Sequence, residues 1–153
     1  MNPVIRIANF DDEAAIVECV NAAYSKYVNR IGRKPAPMLD DYHIQIEKKQ
    51  AHVFEKQDKI TGIVILIPKP DYLYLENIAV HPSYQGKGIG RQLMQYAESI
   101  ARSFGFSEIQ LFTNEAMHEN IAMYINYGYL ETVRKIENGY RRIHFSKMLP
   151  RKQ

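Results

Sequence analysis

The sequence predicts an α/β domain built on a mixed sheet with helices on both faces. Three observations predict it. Apolar runs of strand length alternate with amphipathic runs of helix length, from strand through two helices to three strands, then helix, strand, helix and two strands. The 153 residues are 46% hydrophobic, enough for one domain over residues 1–153 to bury a core without disulfides or metals. Finally, Gln85-Gly86-Lys87-Gly88-Ile89-Gly90 joins a strand-like run to a helix-like one.

Taken in order, Val4 to Ala8 reads as a strand, and Asp11 or Asp12 as the N-cap of a helix from about Glu13 to Asn29. In that helix Cys19 falls with Ile16, Val20 and Ala23 at core spacing, which predicts a packed, inert thiol. Gly32-Arg33-Lys34-Pro35-Ala36-Pro37 breaks the helix, and a second is expected from Leu39 to Lys49. Residues 52–57 and 60–68 read as strands around a turn at Gln57-Asp58-Lys59, closed by Pro68-Lys69-Pro70. Tyr72 to Val80 is the next strand, Gly88 to Phe104 a long helix, and Glu108 to Thr113 another strand. A helix near His118 to Tyr127 precedes strands at Tyr129 to Glu137 and Tyr140 to Met148, turned at Asn138-Gly139. Period two places Glu76 on one strand face with Tyr72, Tyr74 and Ile78.

The glycine segment carries the chemistry. Glycines at every second position let several N–H groups converge, and the following helix adds its positive dipole end, so the segment favours a pyrophosphate. Lys87 is followed by Gly88 rather than Ser or Thr, which excludes a magnesium-holding NTPase loop. The G-x-G-x-G order and its position past mid-chain disfavour a dinucleotide fold.

A formal charge of +3 is too small to argue for nucleic acid, yet suits a polyanionic cofactor. Basic residues group at Arg30, Arg33 and Lys34, at Arg134 and Lys135, at Arg141 and Arg142, and at Arg151 and Lys152. One cysteine leaves no intramolecular disulfide, as in a reducing cytosol, and neither a signal-like segment nor a membrane-length apolar run is present. The expectation is a cytoplasmic protein with no membrane, nucleic-acid or metal partner.

Leu75-Glu76-Asn77-Ile78-Ala79-Val80-His81-Pro82, with Tyr84 to Met94 after it, resembles the acetyl-CoA-binding core of the GNAT N-acetyltransferase superfamily. Gln85, Gly88 and Gly90 satisfy its loop pattern, and Tyr124-Ile125-Asn126-Tyr127-Gly128-Tyr129 is similar to its later Tyr-x-x-x-Gly-Phe element. The resemblance covers about residues 4 to 148 and implies the GNAT fold, splayed between strands 4 and 5, with acetyl-CoA as cosubstrate. It implies that Ile78, Ala79 and Val80 serve the pantetheine arm, that Ile78 or Ala79 N–H meets the oxyanion, and that Gln85, Gly86, Lys87, Gly88, Ile89, Gly90 and Arg91 hold the pyrophosphate. Relatives place asparagine and alanine where this chain has Met117 and Asn120; Asn120, one turn from Tyr124, or Asn114 is left to contact the coenzyme.

An amine of pKa about 10.4 must lose its proton before it attacks, at roughly 4 to 5 kcal/mol at neutral pH. Glu76, a carboxylate among apolar strand residues, is the candidate base, with Asp40, Asp41, Tyr42 and Glu47 as stand-ins. The resemblance points to Tyr124 beside the coenzyme sulfur, with Tyr127 as a substitute. Acceptor-binding candidates are Tyr27, Arg30 and Tyr42, among Tyr24, Arg33, Met38 and Arg141. They suit a small amine, one that also bears a carboxylate or phosphate; a protein lysine or N-terminal amine, a non-catalytic acyl-CoA sensor, and a homodimer stay open.

Overall fold

A computed structural model describes residues 2–150; Arg151 and Lys152 lie outside the described residues. Strands β1 (Val4–Ile7), β2 (Ala51–Lys56), β3 (Lys59–Pro68), β4 (Leu73–Val80), β5 (Glu108–Asn114), β6 (Leu130–Glu137) and β7 (Tyr140–Met148) form a seven-stranded sheet ordered β1-β2-β3-β4-β5-β7-β6. Every pairing is antiparallel except that of β4 with β5. Helices α1 (Glu13–Ile31) and α2 (Tyr42–Glu47) cover one face, and α3 (Ile89–Ser103) and α4 (His118–Asn126) the other.

Two cores follow from the strand alternation. Ala51, Val53, Ile63 and Ile65 face Ile16, Cys19, Val20 and Ala23 of α1, whereas Phe54, Val64, Leu73 and Leu75 face Leu93, Met94 and Ala97 of α3. Cys19 is buried as its helical spacing predicts, and desolvation pushes its thiol up to about 12, so it carries no thiolate at neutral pH. Asn138 and Gly139 both take positive φ, the two-residue hairpin turn expected of Asn-Gly.

Three local expectations change. Leu39–Lys49 is not one helix: a single tight turn, Ala36–Leu39, ends where Asp40 is extended, and α2 starts after Asp41, whose carboxylate accepts Ile44 N–H at 3.2 Å. Asp12 precedes α1 but does not cap it with its side chain; the carboxylate instead takes two hydrogen bonds from Arg6, at 2.8 and 3.0 Å. Asn9 caps the short turn before it, accepting Asp11 N–H at 2.9 Å.

The third change matters most. Leu75 pairs with Leu66 and Asn77 with Ile65, so Glu76 is the extra residue of a β-bulge. The bulge reverses the alternation, so Ile78 packs with Leu73 and Leu75 on the α3 side rather than beside Glu76. Glu76 and Asn77 both find partners from the α1/α2 side.

Candidate active site

β4 and β5 share only two paired positions, Leu73 with Ile109 and Tyr74 with Gln110. Beyond them the strands part. His81 N–H bonds Thr61 C=O at 2.9 Å, so the antiparallel alternation turns Ala79 and Asn77 toward β3 and leaves the N–H and C=O of Ile78 and Val80 facing the gap. Side chains already meet both carbonyls: Tyr24 Oη donates to Ile78 O at 2.9 Å, and Gln85 Nε2 to Val80 O at 3.2 Å.

On one side of this opening lies a cavity of about 250 Å3, lined by Ile78, Ala79, Val80, Gln85, Gly86, Gly88, Ile89, Gly90 and Asn120. Gly86 and Gly88 have φ of 79° and 81°, a region a side chain would strain. The first turn of α3 precedes its first backbone bond, Gln92 N–H to Gly88 C=O, so Ile89, Gly90 and Arg91 present N–H groups at the positive end of a 15-residue helix. A Cβ at Gly90 would meet Met123 Sδ at 3.4 Å, so the cradle is closed by α4. Lys87 lies over the Tyr84 ring, 5.4 Å from its centroid, and Arg91 borders a neighbouring surface groove; neither lines the cavity itself.

A second cavity, of about 260 Å3, opens from the same parting of the strands. Its lining includes Asp40, Glu76, Asn77, Phe112, Asn114, Tyr124, Tyr140 and Arg142, and Tyr24 lines both cavities. The α1–α2 connection roofs it, tied to the β6–β7 turn by Arg33 donating to Asn138 O at 2.6 Å and Tyr140 Oη donating to Lys34 O at 2.8 Å. Tyr24 Oη donates to Asn77 Oδ1 at 2.7 Å, and Asn77 Nδ2 to Tyr42 Oη at 2.9 Å, a buried chain that fixes the bulge against α1 and α2.

Glu76 accepts a hydrogen bond from Gln45 Nε2 at 3.2 Å. Burial, then the like charge of Asp40, raises its carboxyl above the usual range, partly offset by Lys69. Burial also raises Asp40, with Arg142 pulling the other way. Tyr124 is buried, its ring 6.0 Å from those of Tyr129 and Phe145, and desolvation pushes its hydroxyl up. A half-buried carboxylate with a raised pKa is a proton acceptor, and a buried phenol that stays protonated is a hydrogen-bond donor.

The remaining sequence candidates fall elsewhere. Tyr27 and Tyr24 are buried in α1; Tyr27 lines the coenzyme-sized cavity by the glycine loop, and burial pushes its hydroxyl up to about 12. Arg30 is exposed and bound to Glu119 of α4 at 2.6 Å, with Lys26 joining at 3.1 Å. Tyr42 stands behind Asn77, donating to Pro37 O rather than lining either cavity. Asn114 Oδ1 accepts Ala116 N–H at 2.9 Å before α4 and lines the second cavity, while Asn120 lines the first. Sequence reasoning missed Asn77, Phe112, Tyr140 and Arg142 as lining residues. Period two in β7 would have found Arg142, because Ile143 and Phe145 are core residues and so Arg142 and His144 must face the other way. Among the described residues no cluster of His, Cys, Asp or Glu is arranged to hold a metal, and no helix is long and apolar enough to cross a membrane.

Comparison with known proteins agrees with this arrangement. Residues 16–129 match the Acetyltransferase (GNAT) family. The chain is 26% identical over 138 residues to the uncharacterized N-acetyltransferase YjgM of Escherichia coli, covering 84% of this chain and 82% of that protein. It is 24% identical over 111 residues to the uncharacterized N-acetyltransferase YvbK of Bacillus subtilis, covering 72% and 68%. Among solved structures, PaiA N-acetyltransferase from Thermoplasma acidophilum in complex with coenzyme A superposes with a TM-score of 0.81 at 17% identity, over 97% of this chain and 99% of that one. The ribosomal-protein-S18-alanine N-acetyltransferase from Escherichia coli superposes with a TM-score of 0.78 at 18% identity, over 99% and 97%.

Proposed function

Because the chain belongs to the Acetyltransferase (GNAT) family, we propose that it moves an acetyl group from acetyl-CoA to the primary amine of a small molecule, by direct attack in a ternary complex. The observation that carries this reading is the pair of cavities meeting where β4 and β5 part, one on the glycine segment and one around Glu76. The residues present fit the coenzyme. Main-chain N–H groups at the start of α3, with the positive-φ glycines before them, suit a diphosphate, and the unpaired edge at Ile78 and Val80 suits the amides of a pantetheine arm. Bound there, acetyl-CoA would supply the thioester carbonyl.

Each catalytic demand then has a residue. Glu76 takes the amine's proton, aided by a raised pKa that brings it nearer the amine's own. Ile78 N–H, turned into the gap, meets the negative charge that develops on the carbonyl oxygen; one such donor is typically worth about 3 kcal/mol. Tyr124 Oη stabilises the departing thiolate by hydrogen bond. The strapped roof favours a small acceptor over a polypeptide, since a chain would have to break the ties at Asn138 and Lys34 to enter.

The test joins calorimetry of acetyl-CoA binding to an amine screen that follows free thiol. Micromolar coenzyme binding and turnover with at least one amine are expected. Glu76→Gln should keep the binding and lower kcat about 100-fold or more. In the wild type kcat/KM should fall as pH drops through the Glu76 pKa, because the base is lost on protonation; the raised carboxyl puts that limb above an ordinary glutamate's. No coenzyme binding by folded protein would overturn the proposal.

A further inference from the structure

Proton removal and acetyl transfer use only the Glu76 end of the second cavity. Its other wall carries a cation that those steps leave idle. Arg142 of β7 has a side chain 11% exposed, with its guanidinium 4.2 Å from the Phe112 ring centroid and 5.3 Å from that of Tyr140. Its nearest carboxylate, Glu137 Oε1, stands 4.0 Å away and is already engaged at 2.6 Å by His144 Nε2. Among the described residues Arg142 makes no side-chain hydrogen bond, although a guanidinium carries five N–H donors in one plane. Stacking on two rings occupies the faces of that plane and leaves its edge for a coplanar anion.

The acids on the opposite wall do not answer it. Asp40 feels the charge of Arg142, yet no ion pair joins them, and both line the space between. An ammonium alone would neutralise Asp40 and Glu76 and leave the guanidinium uncompensated, which is costly for a buried charge. The arginine expected from the sequence to grip an anion, Arg30, is bound instead to Glu119 beside the other cavity. The free volume, about 260 Å3, equals the share of about nine water molecules, the room for a molecule of amino-acid size.

Resting on the acetyl-transfer reading above, we propose that the acceptor is a compact primary amine carrying an anion, a carboxylate or phosphate, on the same molecule, and that Arg142 holds that anion while the amine reaches Glu76. Arg142 is thus the residue that sets acceptor specificity. A bidentate charge-assisted contact selects for the anion by about 10- to 100-fold.

The experiment measures kcat/KM for glycine, β-alanine, γ-aminobutyrate and aminoethylphosphonate against ethylamine, propylamine and butylamine. At least one anion-bearing amine should exceed its anion-free counterpart of equal chain length by tenfold or more. The carboxylates and the phosphonate separate the two anion types. Arg142→Met should bring that ratio near one, chiefly by raising KM for the anionic acceptor, and Arg142→Lys should restore part of it; calorimetry of acetyl-CoA shows that each variant is folded. Plain amines matching the anionic ones in the wild type, or a ratio unmoved by Arg142→Met, would overturn the assignment of Arg142 while acetyl transfer stands. Turnover of no amine at all would overturn both.

Discussion

Tyr124 is held by aromatic packing alone on its ring side, between Tyr129 and Phe145, and desolvation keeps its hydroxyl protonated well past neutral pH. A phenol in that state helps a leaving thiolate as a hydrogen-bond donor, an effect of about 1.5 to 3 kcal/mol. Tyr124→Phe should therefore lower kcat about 10- to 100-fold while the calorimetric Kd for acetyl-CoA moves less than threefold. A tenfold loss of coenzyme affinity would instead make Tyr124 a packing residue of the α4 core. Its place was legible in the sequence because the following Gly128 and Tyr129 carry the resemblance. Asn77 was not. Strict alternation puts it on the face opposite Glu76, and only the extra residue at position 76 turns both polar side chains toward α1 and α2.

Among the elements, the strand–glycine segment–α3 unit is where sequence and structure agree most closely, since positive-φ glycines and a helix start are local properties. What sets the height of α3 above the sheet is not local. Gly62 of β3 lies under its first turn, and a Cβ there would stand 2.9 Å from Ile89 Cγ2 and 3.1 Å from Leu93 Cδ1. The glycine lets the N–H groups of Ile89, Gly90 and Arg91 settle beside Val80. Gly62→Val should lift that turn, weakening acetyl-CoA binding tenfold or more by calorimetry and lowering stability by about 1 to 3 kcal/mol in urea. Destabilisation with unchanged affinity would show that the helix start is positioned by other contacts. The region from Leu39 to Lys49 was misread for a related reason. Its apolar residues suit a helix, but Asp40 and Asp41 supply a break and a cap, and which carboxylate does which depends on Arg142 and the roof of the second cavity.

Across the whole molecule, every strand and the helices on both faces followed from periodicity and turn residues, because burial enforces those patterns along the chain. The acceptor wall did not follow, since its members come from the α1–α2 connection, β4, β5 and β7 and are brought together only by the sheet order. The same long-range assembly places one titratable group at the joint between sheet and helix. His52 of β2 is 4% exposed, its Nδ1 2.6 Å from Tyr96 Oη of α3, and burial depresses its pKa to about 4. In the unfolded chain a histidine titrates near 6.5, so between those values the unfolded state binds a proton that the native state refuses. Stability is thus full above about pH 6.5 and falls as pH drops toward 4, by at most about 3 kcal/mol from this one residue. Asp12 and Glu119, whose carboxyls are lowered by Arg6 and Arg30, give up their contributions in a more acidic window as they protonate. The two effects are therefore separable. Urea unfolding at pH 7 and pH 4.5 should show a marked loss in the wild type and a much smaller one in His52→Phe, which keeps the ring and removes the proton site; equal losses in the two proteins would place the acid sensitivity elsewhere than at the seam between β2 and α3.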